Sequence, residues 1–187
     1  MALVTYLPSS DYEAMPWRNG AGVTHEIAID DSSGESKAPF LWRLSMADLA
    51  GDGPFSEMPE VDRILVLLEG EGVQLTIAGA DPEPLAEHES IAFPGDVPTS
   101  LTMTPGSGRD LNLMWDRTRV QGMVDILNIG DTLQIEEHIA FAIALGTSAT
   151  VEVDGYEYVL GEQDALQLDD ATTFAVLDGE VYVARID

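Results

Sequence analysis

The sequence predicts an all-β chain made of two copies of one β unit, each a small sandwich or barrel. Three observations carry this. Short runs of β-branched, aliphatic and aromatic residues recur between clusters of Gly, Pro, Asp and Ser, the pattern of strands joined by tight turns. No stretch sustains an apolar stripe at the helical period. The last third of the chain repeats the plan of the middle.

The elements follow in order. Thr24–Ile29 is a strand entered through the small-residue loop Asn19-Gly20-Ala21-Gly22. Leu41–Met46 alternates, with Arg43 and Ser45 on one face and Trp42, Leu44 and Met46 on the other. Arg63–Leu68 is apolar on both faces, as a strand buried on both sides should be. Glu69-Gly70-Glu71-Gly72 turns it into Val73–Ile77, a hairpin. Strands at Ser90–Phe93, Thr99–Met103 and Asp110–Trp115 complete the first copy.

The second copy runs Ala140–Leu145, a Gly146-Thr147-Ser148 turn, and Ala149–Gly155, then Asp164–Leu168 in the place of Glu89–Phe93. Gly79 and Gly155 end equivalent strands, and the later elements keep nearly the same offset, about 76 residues. Asp116–Val124 is polar and reads as the linker, which divides the chain into lobes at 1–118 and 119–187.

Composition narrows the function classes. With 34 acidic against 8 basic residues and a net charge of −26, a nucleic-acid backbone would be repelled and no basic patch offsets that. Cysteine is absent, which removes disulfides and thiolate chemistry. The first residues lack a basic, apolar signal pattern, and no apolar run approaches the roughly 18 residues of a membrane span. A soluble cytoplasmic protein is the expectation.

The basic residues are the informative ones. Seven of the eight are arginines, and Arg18, Arg43 and Arg63 fall in the densest stretch. A guanidinium inside a β-segment must meet an internal carboxylate, for which Glu26 and Asp62 are candidates, or wait for an anionic ligand. Arg63 shares a face with Leu65 and Leu67 and stands at the mouth of a row entering the lobe. Asn112 and Met114 share a face on the strand that would close the same lobe. Trp17, Asn19, Glu26, Arg43, Ser45, Asp62, Arg63, Asn112 and Met114 are therefore the candidate binding residues. His25, His88 and His138 are scattered, so no metal and no cofactor is expected.

The order strand, Leu68-Glu69-Gly70-Glu71-Gly72, strand, Gly79 and then Phe93-Pro94-Gly95-Asp96 resembles the two characteristic segments of cupins. A closer resemblance lies in Met15–Ala28, Phe40–Ala47, Asp52–Ser56, Val61–Gly70, Phe93–Asp96 and Asp110–Met114. Read together over residues 15–116, these are similar to the HutD/Ves family of double cupins. His25 and Ala21 depart from it, where arginine and glycine are more usual.

The resemblance implies a double cupin without the usual metal, and an association with histidine utilisation through binding a pathway intermediate or product. The expectation is a regulatory protein holding a small carboxylate metabolite, of formylglutamate or urocanate type, in the first cupin lobe. The alternative is a metal-free isomerase or hydrolase with Glu26 or Asp62 as general base. The second lobe is expected to close the core and is the candidate surface for a homodimer.

Overall fold

The computed structural model describes residues 3–17, 20, 22–32, 34–104, 106, 108–170 and 172–187. Seventeen strands and one short 3-10 turn at Ser9–Asp11 make up its regular structure. Strand β1 is Leu3–Leu7, β2 Glu13–Pro16, β3 Gly22–Asp30, β4 Trp42–Leu49, β5 Gly53–Pro54 and β6 Val61–Glu69. Then come β7 Val73–Ile77, β8 Glu83–Leu85, β9 Ser90–Pro94, β10 Thr99–Met103 and β11 Gly108–Asp116. The remainder are β12 Gly122–Asn128, β13 Thr132–Ile135, β14 Ile139–Val153, β15 Tyr156–Gly161, β16 Ala165–Asp169 and β17 Thr172–Ile186. Among the described residues no helix is long and apolar enough to cross a membrane.

The chain divides into two units, residues 13–121 and residues 122–187 joined by 1–12. The division expected at 118/119 therefore differs in two ways. The turn after β11 carries the boundary a few residues further, and the first twelve residues belong with the C-terminal half. Their reason is hydrogen bonding: β1 adds itself antiparallel to β16, Leu3 opposite Asp169 through Leu7 opposite Ala165. Asp164 then anchors the chain beyond β1, accepting hydrogen bonds from the Tyr6 hydroxyl and, at 2.7 Å, from the Ser9 backbone N–H.

In the N-terminal unit a six-stranded sheet, β2-β3-β4-β11-β6-β9, accompanies a four-stranded one, β5-β10-β7-β8, with every pairing antiparallel. Leu65, Leu67, Leu75, Phe93 and Leu101 form its apolar core. In the C-terminal unit β14 and β17, 15 residues each, pair along both halves with a register break between Leu145 and Thr150. Their outer halves carry β16, β1 and β12, and their inner halves carry β15 and β13. One bent ribbon thus does the work of four strands in the first unit.

The internal repeat extends to individual hydrogen bonds. Ala78-Gly79 and Asp154-Gly155 both have positive φ at two successive residues, the backbone of a type I′ hairpin turn, which glycine adopts without steric cost. Further on, the Glu89 carboxylate accepts the Ala86 N–H and the Asp164 carboxylate accepts the Gly161 N–H, each at 2.9 Å. His88 and Gln163, just before these acids, share a left-handed φ. The fold is all-β, with two copies of one cupin-like sandwich.

Candidate functional site

A cavity of about 610 Å³ lies in the N-terminal unit. Alternation builds its wall. On β6, Arg63, Leu65 and Leu67 face inward, and their partners across the ladder on β11 are Met114, Asn112 and Asp110. On the other side of β11, Arg43, Ser45 and Ala47 of β4 stand opposite the same three residues. Cross-strand partners share a face, so one surface carries Arg63, Asn112, Asp110, Ser45 and Arg43, all of them on the cavity wall.

Arg63 is 5% exposed and Asp110 fully buried. The side chain of Asn112 connects them: its Oδ1 accepts from Arg63 Nη2 at 2.6 Å, and its Nδ2 donates to Asp110 Oδ1 at 2.6 Å. This orientation of the amide is the one that satisfies both neighbours. Arg63 Nε and Asp110 Oδ2 find no partner among the described residues. Among the described residues no carboxylate pairs with Arg63 within ion-pair distance. Its guanidinium carbon instead lies 4.6 Å from the centre of the Phe55 ring and 5.1 Å from that of Phe93. The negative ring faces offset part of the desolvation of a buried cation.

Burial disfavours the charged form of both groups. It pushes the Arg63 guanidinium down to about 10, with Asp110 opposing and Arg43 adding to the shift. Arg63 is still a cation at neutral pH. Burial also raises the Asp110 carboxyl to about 7, against the pull of Arg63 and the Asn112 hydrogen bond. Asp110 is thus poised between its neutral and ionised forms near neutrality.

Trp17 forms the apolar wall, its Nε1 donating to Thr24 Oγ1 at 2.8 Å. Gly22 makes this placement achievable: a Cβ there would lie 2.4 Å from the Asp48 carbonyl oxygen and 3.0 Å from the Trp17 ring. Gly20 has a left-handed φ of 73°. Arg18, Asn19 and Ala21 lie outside the described residues.

Of the expected site residues, Trp17, Arg43, Ser45, Arg63, Asn112 and Met114 line the cavity. Two carboxylates do not. Glu26 accepts from Arg43 Nε at 2.8 Å and so neutralises that arginine instead of Arg63. Asp62 follows the alternation away from the cavity and pairs with Arg117 Nη1 at 2.6 Å. Neither stands where a general base would meet a ligand. Residue-by-residue reading missed Asp110, Thr24, Phe55 and Met58, which also line the cavity. Asp110 was discoverable, because it shares the alternation of Asn112 and Met114.

His25 sits on β3 with its Nε2 2.8 Å from Asp48 Oδ2. Among the described residues no group of three His, Asp or Glu side chains converges as a metal site would.

The profile of the HutD family matches residues 9–183. The chain belongs to the HutD family. It is 33% identical over 170 residues to the "Uncharacterized 21.2 kDa protein in hutC 3′ region" of Pseudomonas putida, covering 90% of this chain and 88% of that one. It is 39% identical over 120 residues to protein Ves of Cronobacter sakazakii, covering 62% of this chain and 64% of that one.

Among solved structures, HutD from Pseudomonas fluorescens SBW25 superimposes with a TM-score of 0.85 at 27% identity, over 98% of both chains. A cupin 2 conserved barrel domain protein from Leptotrichia buccalis has a TM-score of 0.59 at 9% identity, over 96% of this chain and 98% of that one, and shares the fold alone. The HutD family is associated with the histidine utilisation locus.

Proposed function

We propose that the N-terminal unit of this HutD-family protein binds a small carboxylate metabolite, of N-formylglutamate or urocanate type, and that the protein acts as a regulatory binder in histidine catabolism. The observation that carries this reading is Arg63: buried, cationic, lining the cavity and, among the described residues, with no carboxylate in ion-pair reach and no hydrogen-bond partner for its Nε. A cation in that position is expensive to keep unless an anion completes it. The cavity volume suits a small metabolite, falling within the roughly 300–1,000 Å³ of typical ligand pockets.

Hydrogen bonds to a charged partner contribute about 1.5–3 kcal/mol each. Two of them, with packing against Trp17, correspond to micromolar to millimolar affinity. The net charge of −26 opposes an anion weakly, since exposed charges beyond about 8–10 Å are screened at cellular salt.

Calorimetric titration of the wild type and of Arg63→Ala with N-formylglutamate and with urocanate tests the reading. The expected result is saturable heat in the wild type and at least a tenfold loss of affinity in the variant. Equal heats in both proteins, or no heat in either, would remove it.

A further inference from the structure

Arg63 is one half of an unfinished pattern, and Asp110 is the other. The amide of Asn112 occupies one side of each: its oxygen holds Arg63 Nη2 and its nitrogen holds Asp110 Oδ1. What is left over, Arg63 Nε and Asp110 Oδ2, has no partner among the described residues. One is a donor and the other an acceptor, and both belong to side chains on the same cavity wall. An unpartnered buried oxygen of this kind costs about as much as a lost hydrogen bond. A second copy of the same sandwich keeps no such oxygen at the equivalent place, where Val181 stands.

We infer that Asp110 is the selectivity residue of the site, so that the ligand it prefers carries, beside the anionic group taken by Arg63, an N–H or O–H that Asp110 accepts. This rests on the binding role proposed for the cavity and adds a ligand class to it. A carboxylate with no such donor leaves Asp110 Oδ2 facing a second anion. It binds only when a proton occupies Asp110.

The charged and titratable groups around Asp110 are Arg63 from β6, and Asp48 from β4 with its partners His25 and Arg109. Arg43 of β4 acts on Arg63. Asp110 alone among them is fully buried, lines the cavity and keeps an oxygen that no described residue partners.

Matched pairs of probes test this in the intact protein. N-formylglutamate is compared with glutarate, which lacks the formamide N–H, and urocanate with 3-(2-furyl)acrylate, which lacks the ring N–H. At pH 8 the donor-bearing member of at least one pair should bind at least tenfold more tightly. Affinity for its donor-free partner should rise as the pH falls from 8 to 6.

In Asp110→Asn the Asn112 amide still needs an acceptor, so the new amide turns its NH₂ to the cavity. The preference should then vanish or reverse. Equal affinities within both pairs in the wild type would overturn the assignment while leaving carboxylate binding standing. An unchanged preference in Asp110→Asn would do the same. No binding of any of the four probes would overturn the assignment together with the binding role beneath it.

Discussion

Where the N-terminal unit sets Arg63, Leu65 and Leu67 against Met114, Asn112 and Asp110, the C-terminal unit sets Ala140, Ala142 and Ala144 against Arg185, Val183 and Val181. The next strand repeats the contrast, with Ser45 opposite Asn112 and Asp125 opposite Val183. The N-terminal unit therefore keeps Arg63 and Arg43 in this part of its sheet, and the C-terminal unit keeps Arg185. Arg185 is finished by the protein: Nη2 meets Asp125 at 2.7 Å and Nη1 meets Glu137 at 2.5 Å, and the rows beside it are apolar. Arg63 is offered an amide and two aromatic rings. One fold thus yields scaffold or site according to whether the carboxylate is built in or left to a ligand. A charge closed internally adds little beyond geometry, whereas an unclosed one is a cost that binding can recover.

The largest expected effect follows from Asp110. Its carboxyl is held near 7 in the folded chain and returns to its ordinary 3.8 when unfolded. Between those values the folded state binds more protons than the unfolded state, so this group's contribution is greatest below about pH 4 and is lost as the pH rises through about 7. The Asp110→Asn variant lacks that dependence. Urea unfolding of both proteins from pH 4 to 8 should show near-equal stability at the acid end and a variant more stable by a few kcal/mol at the alkaline end. The difference between the two proteins matters here, because the other carboxylates give the chain its own pH dependence. Parallel curves would mean that Asp110 ionises freely, and the contrast with Val181 would lose its electrostatic meaning.

Making the first unit resemble the second is the next test. Ser45→Asp places a carboxylate at the position Asp125 holds, beside Asn112 and within the same wall as Arg63. The new anion should occupy Arg63 as Asp125 occupies Arg185, and reduce affinity for a carboxylate probe at least tenfold, about 1.4 kcal/mol. Stability should fall little, because the added charge finds a cation waiting. Calorimetry with urocanate reads the first effect and urea unfolding the second. Retained affinity would show that Arg63 is not the group that meets the anion.

Much of this contrast was legible in the residue order. Alternation alone places Arg63, Arg43, Ser45, Asn112 and Met114 on one wall, because a strand buried on one face leaves its polar inward positions conspicuous. The same rule puts Asp62 on the face opposite Arg63, where Arg117 takes it. Considering Asp62 as a partner for its own neighbour overlooked that parity. Phe55 and Met58 lie in a connection without periodicity, so no pattern in the chain marks them as cavity residues. The pairing of β1 with β16 joins residues at opposite ends of the sequence, and an edge strand carries no local mark of its partner. The repeat, in contrast, was readable from Gly79 and Gly155, because a turn with two positive φ angles restricts which residues fit.

Two glycines separate the units in a different way. A Cβ at Gly22 would meet the Asp48 carbonyl oxygen at 2.4 Å and the Trp17 ring at 3.0 Å. At Gly179, where φ is 80°, it would meet the Ser148 carbonyl oxygen at 2.6 Å. Alanine at either position should cost about 1–3 kcal/mol, since backbone and not a flexible side chain must yield. Only Gly22→Ala should also weaken urocanate binding, by displacing Trp17 from the cavity wall. Trp17, Trp42 and Trp115 all lie within residues 13–121, so tryptophan emission follows the N-terminal unit while far-ultraviolet circular dichroism follows both. Gly179→Ala should shift the dichroism transition and leave affinity as in the wild type. If Gly22→Ala also bound urocanate at wild-type strength, Trp17 would be a packing residue, and recognition would rest on the polar wall of β4, β6 and β11 alone.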